Sequence, residues 1–346
     1  MYEKFYGLTG KPFQLNPDPA FLFASRGHKR AFAYLQYGVH QGEGFIVVTG
    51  EVGAGKTTLV RSLFEQLDRT QLVAAQLVST QLEADDMLRS IAAAFGLPVR
   101  SVDKATLLAS LEAFLCQLAV DKRRALLVVD EAQNLAPRAI EELRMLSNFQ
   151  FADQALLQSF LVGQPELRTM MQGPEMQQLR QRVIASYHLG PLDKAETQSY
   201  VEHRLAHVGW SGDPRFDAAT FDLIHLSTGG IPRRINMLCN RLMLAGFLGE
   251  KHEFDANDVR GIAREIRDEL GPEATLTPVR AALARNDAPP RYVQAASPDV
   301  PADWSAHLAG IDQRIERLEK TVGAACEMLQ RLVQHGPDAR KPGTRR

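Results

Sequence analysis

Cysteine is scarce in this sequence, and the three present, Cys116, Cys239 and Cys326, stand far apart with no C-x-x-C pair. This number and spacing exclude a disulfide framework and give no sign of a zinc site, so we expect reduced thiols. Long apolar runs are also absent, and the first residues lack the apolar stretch of a signal peptide. The sequence therefore predicts a protein of the cytoplasm.

An excess of charge of one sign is missing too, since the formal net charge is −1. The whole molecule thus offers no electrostatic argument for binding nucleic acid or an anionic membrane, although a local basic patch stays open. With 45% hydrophobic and 23% charged residues the composition is that of a globular protein. The length predicts two or three structural units.

The most informative stretch is a phosphate-binding loop. An apolar strand predicted from Phe45 to Thr49 leads into the pattern G-x-x-x-x-G-K-[ST], after which a helix is predicted from Thr57 to about Leu67. The residues expected to hold the nucleotide are Gly50, Glu51, Val52, Gly53, Ala54, Gly55, Lys56, Thr57 and Thr58. In this pattern Lys56 reaches the β- and γ-phosphates and the Thr57 hydroxyl ligates Mg²⁺. The loop predicts ATP and Mg²⁺ as ligands.

Two adjacent carboxylates supply the second half of such a site. A buried strand is predicted over Leu126 to Val129, and it ends in Asp130 and Glu131. Asp130 is placed to hold the Mg²⁺ shell, and Glu131 to orient the attacking water and accept its proton. A further predicted strand ends next to Gln164, whose side chain we expect between the two acids and the γ-phosphate. The sequence thus predicts an α/β P-loop NTPase with a parallel sheet and a catalytic glutamate.

Composition divides the chain into segments of different character. We predict an aromatic and proline-rich segment at 1–44 that packs on the core, an ATPase core at 45–191, a helical lid at 192–270, a linker rich in proline and alanine at 271–304, an amphipathic helix or coiled coil at 305–335, and a disordered tail at 336–346. The aromatic residues of the first segment either close over the adenine or pack on the core. We expect the helix predicted at 305–335 either to form a coiled coil with itself or a partner, or to pack back on the globular part.

The lid is expected to be purely helical between Asp193 and Leu270, with Asp193 and Asp217 as N-caps. One of its helices is predicted to begin with Arg233 and Arg234. Cations are unfavourable at a helix N-terminus because of the helix dipole, which favours a contact of these arginines with phosphate.

Taken together, these motifs resemble those of AAA+ ATPases over residues 1 to about 270. The opening Phe5-Tyr-Gly-Leu, the stretch Asp-Glu-Ala-Gln-Asn-Leu135 and Val162-Gly-Gln-Pro-Glu-Leu resemble more narrowly the secretion ATPases of the general secretion pathway A type. Within that group the sequence is most similar to the ATPase encoded with exosortase/PEP-CTERM and exopolysaccharide systems. Members of the wider group often carry a transmembrane helix and a peptidoglycan-binding domain after the ATPase. Here a linker and a predicted coiled coil follow instead, so direct cell-wall binding does not carry over.

The resemblance implies roles for individual residues. Gln164 is similar to the first sensor, Arg233 to the second sensor carried by the lid, and Arg182 to the arginine finger that enters a neighbouring subunit's site. Arg180 and Arg234 compete for the last two roles. An arginine finger supplied in trans accounts for about 10³–10⁵ in rate, so an isolated subunit is expected to be a poor enzyme.

The function implied is a Mg²⁺-dependent ATPase that forms a ring or partial ring and drives or times an envelope secretion, exopolysaccharide-export or protein-sorting system. Its partner would be a membrane-associated component recruited through 305–335, which places the protein at the inner membrane without a span of its own. A DNA-linked AAA+ regulator of the transposition or origin-binding type shares this core, but the chain has no appended DNA-reading motif and no basic excess. A nucleotide-binding scaffold with little turnover is a third interpretation, against which the intact pair Asp130 and Glu131 argues.

Overall fold

The computed structural model describes residues 1–78, 83–100, 102–152 and 154–271, and all of them lie within one unit, Met1–Leu283. The predicted linker beyond residue 271, the coiled coil at 305–335 and the tail at 336–346 lie outside the described residues. Among the helices that the structure describes, none is both long and apolar enough to cross a membrane.

The helices are α1 Tyr2–Phe5, α2 Arg26–Gln41, α3 Lys56–Gln66, α4 Ala84–Ala94, α5 Lys104–Val120, α6 Pro137–Leu146, α7 Pro165–Met171, α8 Gln177–Arg180, α9 Lys194–His207, α10 Ala218–Thr228, α11 Pro232–Leu248 and α12 Ala256–Leu270. Short 3₁₀ helices cover Pro19–Phe21, Ala132–Asn134 and Pro174–Met176.

The apolar runs of the sequence form a five-stranded parallel sheet. Its strands are β1 Phe45–Gly50, β2 Leu72–Val78, β3 Arg124–Asp130, β4 Leu157–Gly163 and β5 Val183–Leu189, and they lie side by side in the order β2-β3-β4-β1-β5. Apart from Arg124, every residue of β1, β3 and β4 is buried, as expected for central parallel strands that helices cover on both faces. The predicted parallel α/β core is thereby confirmed.

Alternate residues of β1 serve the two faces of the sheet. Phe45 and Val47 lie in a cluster with the apolar side chains of α4, α5 and α6, whereas Ile46 and Val48 lie with those of α2 and α3. This alternation is the period of two that a strand imposes. Helices therefore cover both sides, and the carboxyl ends of all five strands meet at one edge.

The chain after residue 192 forms the lid, α9 to α12. Asp193 and Asp217 accept hydrogen bonds from the first turns of α9 and α10, so both predicted N-caps are present. The expectation of a purely helical lid is wrong in one respect, because Arg215–Phe216 pairs in parallel with Glu253–Phe254. The rings of Phe216 and Phe254 lie 5.4 Å apart and hold these short extended segments against the lid core.

The aromatic N-terminal segment differs from the expectation that it packs on the ATPase core. Its buried side chains Tyr2, Tyr6 and Phe13 lie instead in the apolar cluster of the lid. The Tyr2 hydroxyl donates to Asn240 Oδ1 at 2.8 Å, and burial raises the pKa of Tyr2 to about 12. Only from α2 onward does the segment pack against the sheet. Apolar residues predict burial but not which of two neighbouring cores buries them.

Candidate nucleotide site

The phosphate-binding loop joins β1 to α3 at the carboxyl edge of the sheet. Gly53 and Gly55 have φ values of +82° and +101°, a left-handed conformation that side-chain-bearing residues rarely adopt. Gly55 is the N-cap of α3, and no side chain caps this helix. Because the first backbone N–H groups of a helix have no intrahelical acceptor, this end of α3 is suited to an anion such as a phosphate.

Lys56, the first residue of α3, has a buried side chain that lies against the phosphate-binding loop. Its Nζ donates to the carbonyl oxygens of Gly50 at 2.7 Å and Glu51 at 3.0 Å. Burial lowers the pKa of Lys56, and the nearby carboxylates of Glu131 and Asp130 act in the opposite direction. The loop therefore encloses the amino group of Lys56, and the carboxylates of Glu131 and Asp130 favour its charged form.

Thr57 and Asp130 meet across the gap between α3 and β3. The Thr57 hydroxyl donates to Asp130 Oδ2 at 3.0 Å, and Asp130 is buried at the last position of β3. Burial raises the pKa of Asp130. A hydroxyl and a carboxylate are hard oxygen donors of the kind that Mg²⁺ prefers, so the pair fits the predicted metal.

Glu131 follows in a left-handed conformation, with φ of +53°. Its backbone N–H donates to Asp130 Oδ1 at 3.0 Å, and its Oε2 accepts from Gln133 Nε2 at 2.6 Å and Gln164 Nε2 at 3.0 Å. Burial acts to raise the pKa of Glu131, but these two hydrogen bonds and the charge of Lys56 outweigh it and lower the pKa. The carboxylate is thus held in its ionised form.

Gln164 reaches this group because β4 lies between β1 and β3. The residue follows the last residue of β4 and is the N-cap of α7, while the phosphate-binding loop follows β1 and the two acids end β3. The structure therefore brings Lys56, Thr57, Asp130, Glu131 and Gln164 together at one edge.

The lid contributes Arg233, in the first turn of α11. Its backbone N–H donates to the carbonyl oxygen of Gly53 at 3.1 Å, and its side chain is exposed at the cleft above the loop. Within the described residues the guanidinium has no hydrogen-bond or ion-pair partner. The competing Arg234, next along α11, does not line this cleft.

Arg182 lies at the other end of the sheet. It directly precedes β5, and its carbonyl accepts from Phe45 N at the start of β1, a strand length of about 17 Å from the loop. Its Nη1 donates to Ser147 O at 3.1 Å and Ser147 Oγ at 2.9 Å. Arg180 Nη1 donates to the carbonyls of Met171 and Gly173, each at 2.6 Å. Neither arginine meets the nucleotide site of its own chain.

Sequence reasoning missed His28, which is buried beneath the loop in the first turn of α2. Its Nε2 lies 3.1 Å from Ala54 O, and its Nδ1 lies 2.7 Å from Ser25 Oγ. Because a carbonyl only accepts, Nε2 carries the proton and Nδ1 accepts from the serine hydroxyl. Burial lowers the pKa of His28, which favours this neutral form. Ser25, the N-cap of α2, was readable as a cap, but no pattern indicated the contact with Ala54.

A second missed feature is the strap, which we define as residues 12–24. Arg204 of the lid, itself buried, donates Nε to Pro12 O at 2.6 Å and Nη2 to Gln14 O at 3.1 Å. Farther along, Arg61 of α3 donates Nη1 to Pro17 O at 2.6 Å. The strap thus connects the lid to the helix that follows the phosphate-binding loop. Its residues in the wall of the cleft are Gln14, Leu15, Asn16, Pro17, Asp18, Phe21, Leu22 and Phe23.

The comparisons with known proteins agree with this geometry. Residues 39–171 match the family described as AAA domain. The ORC2 protein of Aeropyrum pernix, solved as ADPNP–ADP complexes, superposes with a TM-score of 0.54 at 18% identity, over 74% of this chain and 71% of that one. Cdc6p from Pyrobaculum aerophilum superposes with a TM-score of 0.56 at 18% identity, over 71% of this chain and 70% of that one. The fold is therefore that of a P-loop NTPase of the AAA+ class, as predicted, and this fold implies nucleotide binding.

A curated relative points to a narrower group. General secretion pathway protein A of Aeromonas hydrophila is 40% identical over 274 residues, which are 78% of this chain and 50% of the relative. The chain is thus related to that protein and spans half of its length.

Proposed function

We propose that this chain is a Mg²⁺-dependent ATPase that drives or times an envelope secretion or exopolysaccharide-export system. The observation that carries the proposal is that Lys56, Thr57 and Glu131 line one cleft together with Arg233, while the buried Asp130 accepts a hydrogen bond from Thr57. The relation to general secretion pathway protein A supports the secretion setting. The finer assignment to an exosortase/PEP-CTERM system rests on the sequence resemblance alone.

Each side chain has a task in the proposed hydrolysis. The uncapped start of α3 and Lys56 hold the phosphates, and the ionised Glu131 accepts the proton of the attacking water. Thr57 and Asp130 would hold Mg²⁺, which when bound neutralises charge on the phosphates. Gln164 and Arg233 couple the state of the phosphates to β4 and to the lid.

We further propose that the site is completed between subunits, with Arg182 as the finger and Arg180 as its competitor. To reach a neighbour's site, Arg182 has to exchange its bonds to Ser147 for contacts across an interface. The active form is then a homo-oligomer of ring or partial-ring type, cytoplasmic and recruited to a membrane-associated partner through 305–335.

The test is the ATPase rate per subunit against protein concentration for wild type, Arg182→Ala and Arg180→Ala. Arg264→Ala, an exposed arginine on α12, is the matched control. We expect the rate of wild type and control to rise with concentration, while the finger variant stays flat and still binds nucleotide. A rate independent of concentration, with both arginines dispensable, would refute the shared site. A steep loss of turnover in Glu131→Gln, with nucleotide binding retained, tests the hydrolytic assignment separately.

The alternative is a DNA-linked AAA+ regulator, because solved proteins of this fold include DNA-bound ones. One of them, the ORC1 protein of Aeropyrum pernix, was solved in complex with DNA and gives a TM-score of 0.55 at 15% identity. Identity this low supports the fold alone, and the net charge of −1 supplies no attraction to a polyanion. Adding duplex DNA to the same assay decides the question, since stimulation that disappears with added salt would support the alternative.

A further inference from the structure

We propose that Gln133 is a positioning residue that fixes the carboxylate of Glu131 for catalysis and ties it to the end of β4. The inference rests on the proposed function, in which Glu131 activates water. Gln133 lies in the 3₁₀ helix Ala132–Asn134 that directly follows Glu131.

The three side chains Glu131, Gln133 and Gln164 form a closed set of hydrogen bonds. Gln133 Nε2 donates to Glu131 Oε2 at 2.6 Å, and Gln133 Oε1 accepts from the backbone N–H of Gln164 at 3.0 Å. Gln164 Nε2 completes the set by donating to the same Glu131 Oε2 at 3.0 Å. One carboxylate oxygen is therefore held by two amides, which leaves Oε1 for a reacting water.

The orientation of the Gln133 amide is fixed by its two partners. A backbone N–H requires an acceptor and a carboxylate requires a donor, so the flipped amide would face both partners with the wrong atom. Gln133 thus bridges the ends of β3 and β4 in one direction only.

Gly163, the last residue of β4, shows that the chain leaves room for this bridge. A Cβ at Gly163 would lie 2.8 Å from Gln133 Oε1 and 2.8 Å from Leu167 Cδ2. A side chain there would displace both the Gln133 amide and the Leu167 side chain. The backbone of Glu131 adds a second reason, because its φ of +53° is a costly conformation for a residue with a Cβ and needs support from its surroundings.

Gln133 acts through Glu131 and not on the nucleotide. Glu131 lines the cleft together with Lys56 and Thr57, whereas Gln133 does not. The remaining interpretation is structural, since the amide could serve only to accept the N–H of Gln164 at the start of α7. The two roles use different atoms of the same side chain, which makes them separable.

Two substitutions separate them. Gln133→Ala removes both contacts. Gln133→Glu keeps an oxygen for Gln164 N–H but replaces the donor to Glu131 by a second carboxylate oxygen. We expect kcat to fall about 10- to 100-fold in both variants, the loss typical of a misplaced catalytic group, with the nucleotide dissociation constant within about twofold of wild type. Gln178→Ala, an exposed glutamine on α8, is the matched control and should keep the wild-type kcat.

The outcomes distinguish this inference from the proposed function. Suppose that wild type hydrolyses ATP, but Gln133→Ala keeps the wild-type kcat or Gln133→Glu retains full activity. Gln133 then does not position Glu131, and this inference is refuted while the proposed ATPase function stands. If wild type hydrolyses nothing at any concentration, the proposed function falls. A change in the dissociation constant without a change in kcat also overturns the positioning role. In a Glu131→Gln background, removing the Gln133 amide should cause no further loss of single-turnover rate, and an additional tenfold loss would contradict the inference.

Discussion

Gly53 offers the sharpest test of how the lid meets the phosphate-binding loop. A methyl group at Gly53 would lie 2.3 Å from Arg233 Cβ, far inside contact distance, so the first turn of α11 has to move in Gly53→Ala. The hydrogen bond from Arg233 N to Gly53 O is then lost, at a cost of about 1 kcal/mol. Alanine at a left-handed φ of +82° costs about another 1–2 kcal/mol. The sum is about 2–3 kcal/mol.

This loss should appear in nucleotide affinity, because Gly53 belongs to the phosphate-binding loop and its carbonyl accepts the hydrogen bond from Arg233 N. At about 1.4 kcal/mol per factor of ten, the dissociation constant for ATP should rise roughly 30- to 140-fold. The assay is equilibrium binding of a fluorescent ATP analogue, with chemical unfolding measured in parallel. Gly190→Ala is the control, since a Cβ there meets nothing within 4 Å. If Gly53→Ala binds within twofold of wild type, the contact between loop and lid does not govern affinity and the reasoning is wrong.

Three further predictions concern stability. Arg204→Ala leaves the carbonyls of the strap without their buried donor and should reduce the free energy of unfolding by about 2–4 kcal/mol in urea titrations, whereas exposed Arg264→Ala should change it little. Gly261→Ala, in the exposed face of α12 with nothing within 4 Å of the added methyl, should raise the free energy of unfolding by about 0.5–1 kcal/mol. His28 has a depressed pKa in the folded state, so the unfolded chain binds its proton first as the pH falls below about 6.5. Between about pH 6.5 and the folded-state pKa, the free energy of unfolding of wild type should therefore fall by up to about 1.4 kcal/mol per pH unit more than that of His28→Gln. Equal slopes of the free energy of unfolding against pH would contradict the assignment of a neutral His28.

The sequence predicts those parts of the site in which one continuous stretch of chain needs particular residue types at a fixed spacing. The loop between β1 and α3 needs its glycines, lysine and threonine in a fixed spacing, and β3 needs an apolar run before Asp130 and Glu131. Since the carboxyl ends of parallel strands share one edge, their meeting follows once both strands are recognised. The position of Gln164 follows in the same way from the end of β4.

Contacts between segments that are distant in the sequence leave no pattern in the sequence by which they could be predicted. His28 lies under Ala54 because α2 packs against the sheet, and nothing in the spacing of α2 distinguishes it from an ordinary buried histidine. The aromatic residues of the N-terminus are as apolar as a core requires, but this pattern does not show that Tyr2, Tyr6 and Phe13 pack on the lid and not on the ATPase core. Gln133 stands beside Glu131 in the sequence, yet its role depends on the missing side chain at Gly163 on another strand.

The conformation of the phosphate-binding loop is held by its own lysine and by two segments that are distant in the sequence, α2 and the lid. Lys56 binds the carbonyls of Gly50 and Glu51, α2 binds the carbonyl of Ala54 through His28, and the lid binds the carbonyl of Gly53 through Arg233 N. In a trans peptide the N–H of the next residue points opposite to the carbonyl, so the bond from His28 to Ala54 turns the N–H of Gly55 away from the protein interior. The lid is bonded to this loop directly and to α3 through the strap. A displacement of the lid therefore breaks contacts that shape the nucleotide site, and the physical link between lid position and nucleotide affinity lies in the backbone of the loop itself.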